Sequence, residues 1–274
     1  MIRLDRVSVV FGPGTADENE ALREVSLTVN AGDFITIIGS NGAGKTTLYN
    51  AVAGTFPLHS GRIFIKGPAA GGRVSTAERD ITREAEYRRA RYIGRIFQNP
   101  LLGTAGRMTL ADNLMISHQK GYRGLKISLN RKMREYFREH LASLGMGLEN
   151  RLEDNVELFS GGQRQALTLL MTVMSRPALL LLDEHTAALD PRNAELVMKL
   201  TLRFASEYGL TVMMITHNMS HALATGNRLL MMDGGEIILD VGSEEKSKLT
   251  TAGIVERFKD IKKQEFSNDK ILLG

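Results

Sequence analysis

The chain has 274 residues, of which 43% are hydrophobic and 24% charged, and it contains no cysteine. These values are typical of one large globular domain, or of a domain with a subdomain, and they exclude disulfides and thiolate metal sites. No apolar run approaches the roughly 18 residues of a membrane-spanning helix, and the N-terminus lacks a signal-like apolar segment. We therefore expect a chain that neither crosses nor enters a membrane. The net charge of +4 does not require a nucleic-acid partner.

The first hundred residues predict mainly β-structure, with a polar hairpin-like loop over Gly12–Asn19. The basic stretch Arg83–Arg95 follows, and we interpret it as a solvated helix face rather than a nucleic-acid surface. The predicted strands are Ile2–Val10, Leu22–Val29, Phe34–Ile38, Gly61–Lys66 and Tyr92–Phe97.

The middle of the chain has a helical pattern from Thr109 to Gly145. Thr109 with Asp112 can cap one helix, and Asn130 can cap a second that ends at Gly145. This part of the sequence is therefore a candidate inserted helical subdomain, roughly residues 98–160.

Strands and helices alternate again after Ala178, which favours a mainly parallel sheet with helices on its faces. A helix is predicted after Pro191, and the methionines Met213, Met214, Met231 and Met232 are predicted core residues. From Thr250 the tail has apolar residues at helical spacing, which predicts a docked stripe of Ile254, Val255, Phe258 and Ile261. The predicted strands are Ala178–Leu182, Thr211–Ile215, Arg228–Met232 and Glu236–Asp240.

A glycine-rich loop between a predicted strand and a predicted helix is the strongest motif of the chain. Its sequence fits the phosphate-loop pattern G-x-x-x-x-G-K-[ST] without a mismatch. Glycines let consecutive backbone N–H groups point at one anion, a lysine contacts the β- and γ-phosphates, and a hydroxyl can ligate Mg²⁺. The motif predicts a nucleoside triphosphate site at Gly39, Ser40, Asn41, Gly42, Ala43, Gly44, Lys45 and Thr46.

Two acids follow the apolar run Leu179–Leu182. A buried strand would place Asp183 at its carboxyl end, where it can hold Mg²⁺ through water, and Glu184 can polarise an attacking water. Taken alone, the run also fits a strand that ends in ordinary surface acids.

A second anion-binding helix terminus is predicted at Phe159–Gln163. Ser160 can cap this helix, and Gly161 and Gly162 expose backbone N–H groups. A plain helix cap after a turn is the alternative interpretation.

Together these motifs resemble, in order and spacing, the ATP-binding subunit of an ATP-binding cassette (ABC) transporter. The resemblance runs from about Ile2 to Asp240. It matches Walker A at Gly39–Thr46, the Q-loop glutamine at Gln98, the signature at Phe159–Gln163, Walker B at Leu179–Glu184, the D-loop at Ala188–Asp190, the switch histidine at His217 and an adenine-stacking aromatic at Phe11.

The resemblance implies an α/β P-loop NTPase fold of the ABC ATPase type. A mainly parallel core sheet would be joined by an antiparallel β subdomain and an inserted helical subdomain. The implied ATPase domain is 1–245, with a catalytic core of about 1–97 and 161–245, a helical subdomain of about 98–160 and a C-terminal helical tail at 246–274.

The resemblance also implies the roles of single residues, with ATP and Mg²⁺ as cofactors. The implied catalytic residues are Lys45, Gln98, Glu184 and His217. Magnesium would be held by Thr46, Gln98 and Asp183. Nucleotide would be bound by Phe11, Gly39, Ser40, Asn41, Gly42, Ala43, Gly44, Lys45, Thr46, Thr47, Ser160, Gly161, Gly162, Gln163 and Asp190.

The implied partners are transmembrane permease subunits, a second copy of the chain in a head-to-tail ATP sandwich, and an extracytoplasmic substrate-binding protein, but no nucleic acid. The implied location is the cytoplasmic face of a bacterial membrane, and the direction of transport is import. The block Asp183–Asp190 resembles an importer subgroup linked to amino-acid uptake, with tryptophan or tyrosine as candidate cargoes.

Three positions depart from the family pattern. Phe159 replaces the usual leucine, where we expect packing; His185 replaces proline; and Ala188 lies where a serine often starts the D-loop. A soluble ABC ATPase of DNA repair or translation is the alternative, although one cassette without cysteines or a heptad run argues against it. A regulatory module that binds ATP without turnover is a third reading, which the intact Lys45, Glu184 and His217 disfavour.

Overall fold

The computed structural model describes residues 2–66, 77–118 and 129–259. Its strands are β1 (Ile2–Phe11), β2 (Asn19–Val29), β3 (Phe34–Gly39), β4 (Ser60–Ile65), β5 (Arg79–Asp80), β6 (Ile93–Ile96), β7 (Leu179–Asp183), β8 (Val212–Ile215), β9 (Arg228–Asp233) and β10 (Glu236–Val241). Its helices are α1 (Lys45–Ala53), α2 (Glu86–Arg89), α3 (Leu110–His118), α4 (Arg131–Ala142), α5 (Gly161–Met174), α6 (Pro191–Glu207), α7 (Met219–Ala224), α8 (Ser243–Lys246) and α9 (251–259).

A six-stranded sheet in the order β10-β9-β3-β8-β7-β6 forms the centre of the molecule. Neighbouring strands are parallel except for the antiparallel pair β9–β10. The central strands β7 and β8 consist of buried residues only, as expected for parallel strands that are covered by helices on both faces. The predicted mainly parallel core is confirmed, and all four predicted core methionines are buried.

A second sheet is antiparallel, in the order β2-β1-β4-β5, and it confirms the predicted β subdomain. Its inner face shares one hydrophobic cluster with α1 and with one face of the central sheet, as shown by Leu4, Ile63, Leu48 and Ile37. The helix that follows the phosphate loop is thus held between the two sheets.

Helices α3 to α6 pack on the other face of the central sheet in a separate cluster. Thr109 and Asp112 form the expected reciprocal cap of α3, and the Asn130 side chain accepts a hydrogen bond of 2.9 Å from the Met133 N–H at the start of α4. The predicted end of α4 is three residues late, because the helix stops at Ala142 and Gly145 turns with a φ of 66°. Part of the predicted helical pattern, residues 119–128, lies outside the described residues.

The prediction of a solvated face over Arg83–Arg95 is wrong for two of its arginines. Arg89 is 2% exposed and donates hydrogen bonds of 2.8 Å to the carbonyls of Ala51 and Val52 at the end of α1. A guanidinium satisfies helix-terminal carbonyls and the negative end of the helix dipole, and the nearby carboxylates of Glu84 and Asp80 also favour this cation. The Arg95 side chain is also mostly buried, beside β7.

The C-terminal stripe is confirmed only in part. Ile254 is buried and Phe258 packs against the same cluster, whereas Val255 is 37% exposed and Ile261 lies outside the described residues. Lys246 is buried, with its ammonium 3.2 Å from both the Thr36 hydroxyl and the Gly226 carbonyl. These contacts fix the start of the predicted tail against the core sheet.

A buried histidine joins the end of β7 to helix α6. His185 is 1% exposed, and its Nε2 lies 3.0 Å from the hydroxyl of Thr201, which itself donates to the Val197 carbonyl. The hydroxyl therefore accepts a hydrogen bond from Nε2–H. Burial lowers the pKa of His185 to about 4.

This depressed pKa predicts acid sensitivity. The unfolded chain takes up a proton at His185 near its ordinary pKa of 6.5 and the folded chain only near 4, so folding stability is lost as the pH falls through this window. Relative to His185→Gln, the wild type should lose about 2 kcal/mol of unfolding free energy between pH 7 and pH 5. Urea titrations of both proteins at each pH measure the free energy of unfolding. Equal losses of this free energy in the two proteins between pH 7 and pH 5 would contradict the prediction.

Candidate nucleotide site

Three neighbouring parallel strands bring the predicted phosphate-handling groups to one edge of the central sheet. The phosphate loop follows β3, Asp183 and Glu184 end β7, and His217 follows β8. Because β8 lies between β3 and β7 and all three are parallel, their carboxyl ends meet at this edge.

Glycine is required at two positions of the loop, because other backbone atoms approach closely and because φ is positive. A Cβ on Gly39 would lie 2.2 Å from the Met232 carbonyl oxygen, and one on Gly44 would lie 2.7 Å from that of Ala21. Gly44 has a φ of 95° and precedes α1 directly. No other residue type fits these two positions without moving the backbone.

Lys45 lies in the first turn of α1 and folds back over the loop. Its ammonium donates to the carbonyls of Gly39 at 2.8 Å and Ser40 at 2.7 Å, while the Thr46 side chain in the same turn is exposed. Burial lowers the pKa of Lys45, and the nearby carboxylates of Glu184 and Asp183 act against that shift. The loop thus holds a positive charge beside two acids.

The two acids at the end of β7 have different surroundings. Burial raises the pKa of Asp183, and the guanidinium of Arg95, 3.4 Å from Oδ2, offsets part of the increase. Glu184 has a left-handed φ of 48°, which is unusual for a non-glycine residue. Its Oε1 lies 2.5 Å from Nε2 of His217. The predicted catalytic glutamate and switch histidine are therefore in direct contact.

Two further predicted residues, Gln98 and Phe11, are exposed. Gln98 follows β6, the neighbour of β7, and its side chain is exposed. Phe11 ends β1 with 42% of its surface exposed and meets Phe56 edge to face, with ring centroids 5.3 Å apart. An exposed ring of this kind can accept a base by stacking.

The predicted signature segment forms a complete capping box. Ser160 accepts from the Gln163 N–H at 3.3 Å, and the Gln163 side chain accepts from the Ser160 N–H at 3.1 Å. The helix begins beside α6, because a Cβ on Gly162 would lie 2.5 Å from Asn193, whose N–H donates to Asp190. The signature and D-loop termini are therefore neighbours, and among the described residues no hydrogen bond joins 160–163 to the phosphate loop.

The three departures from the family pattern do not replace the predicted catalytic residues Lys45, Glu184 and His217. Phe159 is 4% exposed in the helical cluster, with the Arg151 guanidinium 4.5 Å over its ring, in agreement with a packing role. His185 is buried as described above, and Ala188 is exposed between β7 and α6.

Sequence reasoning missed a side chain that connects three of the motifs. Gln165, on the buried face of α5, donates from Nε2 to the carbonyl of Phe97 at 3.0 Å and to that of His185 at 2.7 Å. It thereby joins the signature helix to the residues next to Gln98 and Glu184. A polar residue on the buried side of an apolar helix is the signal that could have indicated it.

Comparison with known proteins agrees with this arrangement. The sequence model described as ABC transporter matches residues 22–187. A tyrosine transport ATP-binding protein of Clostridioides difficile is 39% identical over 94% of this chain and 98% of its own length. A phosphonates import ATP-binding protein of Nocardia farcinica is 34% identical over 80% of this chain and 79% of its own length.

Solved structures show the same fold. MJ1267, an ATP-binding cassette of an ABC transporter in its ADP conformation, superposes with a TM-score of 0.72 and 27% identity, covering 94% of this chain and 98% of that one. The chain therefore belongs to the ABC transporter family and is one of its ATP-binding, ATP-hydrolysing subunits, with the P-loop ABC fold.

Proposed function

We propose that this chain hydrolyses ATP to drive import of a solute through a separate membrane permease. The observation that carries the proposal is the contact of Glu184 with His217 at the sheet edge that also presents Lys45. Such a constellation suits phosphoryl transfer to water, where positioning and charge stabilisation supply most of the catalysis. The importer role rests on the relatives, which are import or transport subunits over most of their lengths.

In this proposal each group has one task. Backbone N–H groups of the loop and Lys45 hold the phosphates, and Phe11 stacks on adenine. Glu184 orients and polarises the attacking water, and His217 contacts the γ-phosphate. The Glu184 side chain is only 15% exposed, so its carboxylate is aimed inward at the sheet edge rather than into open solvent.

The residues at the edge also fit Mg²⁺. Thr46, Gln98 and Asp183 offer hydroxyl, amide and carboxylate oxygens, the hard donors that this ion prefers. Within the described ranges no group of three or more His, Cys, Asp or Glu side chains could hold a metal by itself. This agrees with an ion held by few protein ligands together with phosphates. When bound, Mg²⁺ would neutralise charge on the phosphate oxygens.

We further propose that two copies sandwich the nucleotide head to tail. Ser160 and Gly161 are exposed at the start of α5, where free N–H groups and the helix dipole favour an anion. Their neighbours in the same chain are the D-loop and α6 rather than the phosphate loop. The nucleotide bound at the phosphate loop of a second copy would present its phosphates to this helix terminus. Asp190 would lie at the same interface.

The sandwich predicts that Glu184→Gln, which slows hydrolysis but keeps the side-chain shape, forms a stable dimer in ATP. Light scattering after size exclusion, with ATP and with ADP, measures the change in mass. Adding Ser160→Arg to this variant should abolish the dimer, since a bulky cation blocks the helix terminus. An ATP-bound Glu184→Gln protein that remains monomeric would contradict the sandwich.

The surface of the helical region is our candidate contact for the permease. Leu101, Leu102 and Ile116 are 57%, 65% and 60% exposed, and the two leucines follow Gln98 closely in sequence. Ile116 and Phe97 line one groove of about 420 Å³. Exposed apolar residues beside a groove are typical of protein–protein contacts. No helix in the described part of the chain is long and apolar enough to cross a membrane.

The proposed permease contact predicts that a single substitution weakens permease binding without affecting dimerisation. Leu102→Glu should reduce co-isolation of a multi-span permease at least tenfold, because a charge would be buried at the contact. ATP-dependent dimerisation should not change, since Leu102 belongs to no nucleotide motif. Tagged protein purified from native membranes tests both, with Leu202→Glu, 40% exposed on α6, as the matched control. Equal recovery of permease with both variants would contradict this surface.

The proposed cargo is an aromatic amino acid, delivered by an extracytoplasmic substrate-binding protein, with this chain peripheral on the cytoplasmic face of the membrane. The similarity to a tyrosine transport subunit supports this cargo. Vesicles that contain the reconstituted transporter should accumulate labelled tyrosine in an ATP-dependent way, competed by unlabelled tyrosine and not by phosphonate. Competition by phosphonate alone would overturn the cargo assignment. None of the relatives described above supports the alternative role in DNA repair or translation.

A further inference from the structure

One buried cation at the nucleotide edge has no role in the proposed reaction. Arg95 lies on β6, and its side chain is 12% exposed. Its Nη2 lies 3.4 Å from Oδ2 of Asp183, and its Nη1 donates to Oδ1 of Asn50 at 2.6 Å. Asn50 is on α1, so one guanidinium touches both the strand end that carries Asp183 and the helix that carries Lys45.

The strand register explains this placement. Arg95 pairs with Leu181 in the parallel ladder of β6 and β7, two residues before Asp183, so its long side chain reaches forward along the strand to the carboxylate. The ring of Phe97, two residues after Arg95 and just beyond the end of β6, lies 4.6 Å from the guanidinium carbon. The guanidinium is thus held by the ring, by Asn50 of α1 and by Asp183.

The contacts of Arg95 are incomplete. Its Nε is buried and has no hydrogen-bond partner among the described residues, and the contact with Asp183 is long for a paired guanidinium. Arg95 also lines the groove of about 420 Å³ that contains Phe97 and Ile116. Arg95 therefore borders open space as well as Asp183.

We propose that Arg95 is a positioning residue that holds the Asp183 carboxylate and competes with Mg²⁺ for it. It thereby sets the Mg²⁺ concentration that nucleotide binding requires. This inference rests on the proposed role of Asp183 in holding Mg²⁺. A cation next to a metal-binding carboxylate repels the divalent ion, and in a partly buried setting this repulsion is weakly screened.

The test is the Mg²⁺ dependence of nucleotide binding rather than turnover. A fluorescent, non-hydrolysable ATP analogue is mixed with each protein at a fixed concentration at which little of it binds without Mg²⁺, and its anisotropy is followed as buffered free Mg²⁺ is titrated. Arg95→Met removes the charge and should lower the half-saturating Mg²⁺ roughly threefold to tenfold. Arg95→Lys keeps the charge and should stay near the wild type. A merely structural role of Arg95 would not move this midpoint to lower Mg²⁺.

Two further variants complete the experiment. Arg95→Gln also removes the charge but keeps an amide donor for Asn50, so it tests the proposal even if Arg95→Met does not fold. Arg131→Met removes an arginine whose side chain is 94% exposed, and it controls for the change in net charge. A midpoint that is unchanged or higher in the folded charge-removing variants would overturn the inference. A wild type without any Mg²⁺ dependence would instead overturn the proposed metal-assisted chemistry.

Discussion

The parallel pairing of β3, β8 and β7 is the constraint on which the rest of the molecule depends. It brings three loops that are far apart in sequence to one edge, where the phosphate loop, Asp183 and the Glu184–His217 contact lie side by side. Each strand is buried on both faces, so a slip of one residue would move every side chain into the opposite hydrophobic cluster and disrupt the packing of both. The stability of the core thereby fixes the geometry of the site.

Cations and carboxylates are close neighbours at this edge of the sheet. Lys45 and Arg95 both interact with the Asp183 carboxylate, and burial perturbs the pKa values of both Lys45 and Asp183. The two acids have different partners, because Asp183 contacts Arg95 whereas Glu184, which has a left-handed φ, contacts His217. Buried carbonyl contacts from Arg89 and Gln165 fix α1 and the signature helix around this centre. Hydrogen bonds to main-chain carbonyls thus position the two helices, while the charged side chains at the sheet edge supply the electrostatics of the site.

Much of this fold is predictable from the sequence, because its signals are local. Apolar runs such as Leu179–Leu182 predict buried strands, and the capping boxes at Thr109 and Ser160 predict helix starts. The burial of Arg89 and the bridge made by Gln165 are not predictable in this way, since both depend on which carbonyls the tertiary fold brings near. For the same reason the sequence indicates that Asp183 and Lys45 share a site but not that Arg95 lies beside them.

The central claim is that the phosphate loop of one copy is completed by the signature helix of another. The most direct measurement mixes two inactive variants, Lys45→Ala, with a disabled loop, and Ser160→Arg, with a disabled signature. If sites form between copies, the mixed dimer contains one intact site, and ATP hydrolysis should rise well above that of either variant alone. If mixing restores no activity while each variant remains folded and the wild type hydrolyses ATP, the nucleotide is not shared between two copies.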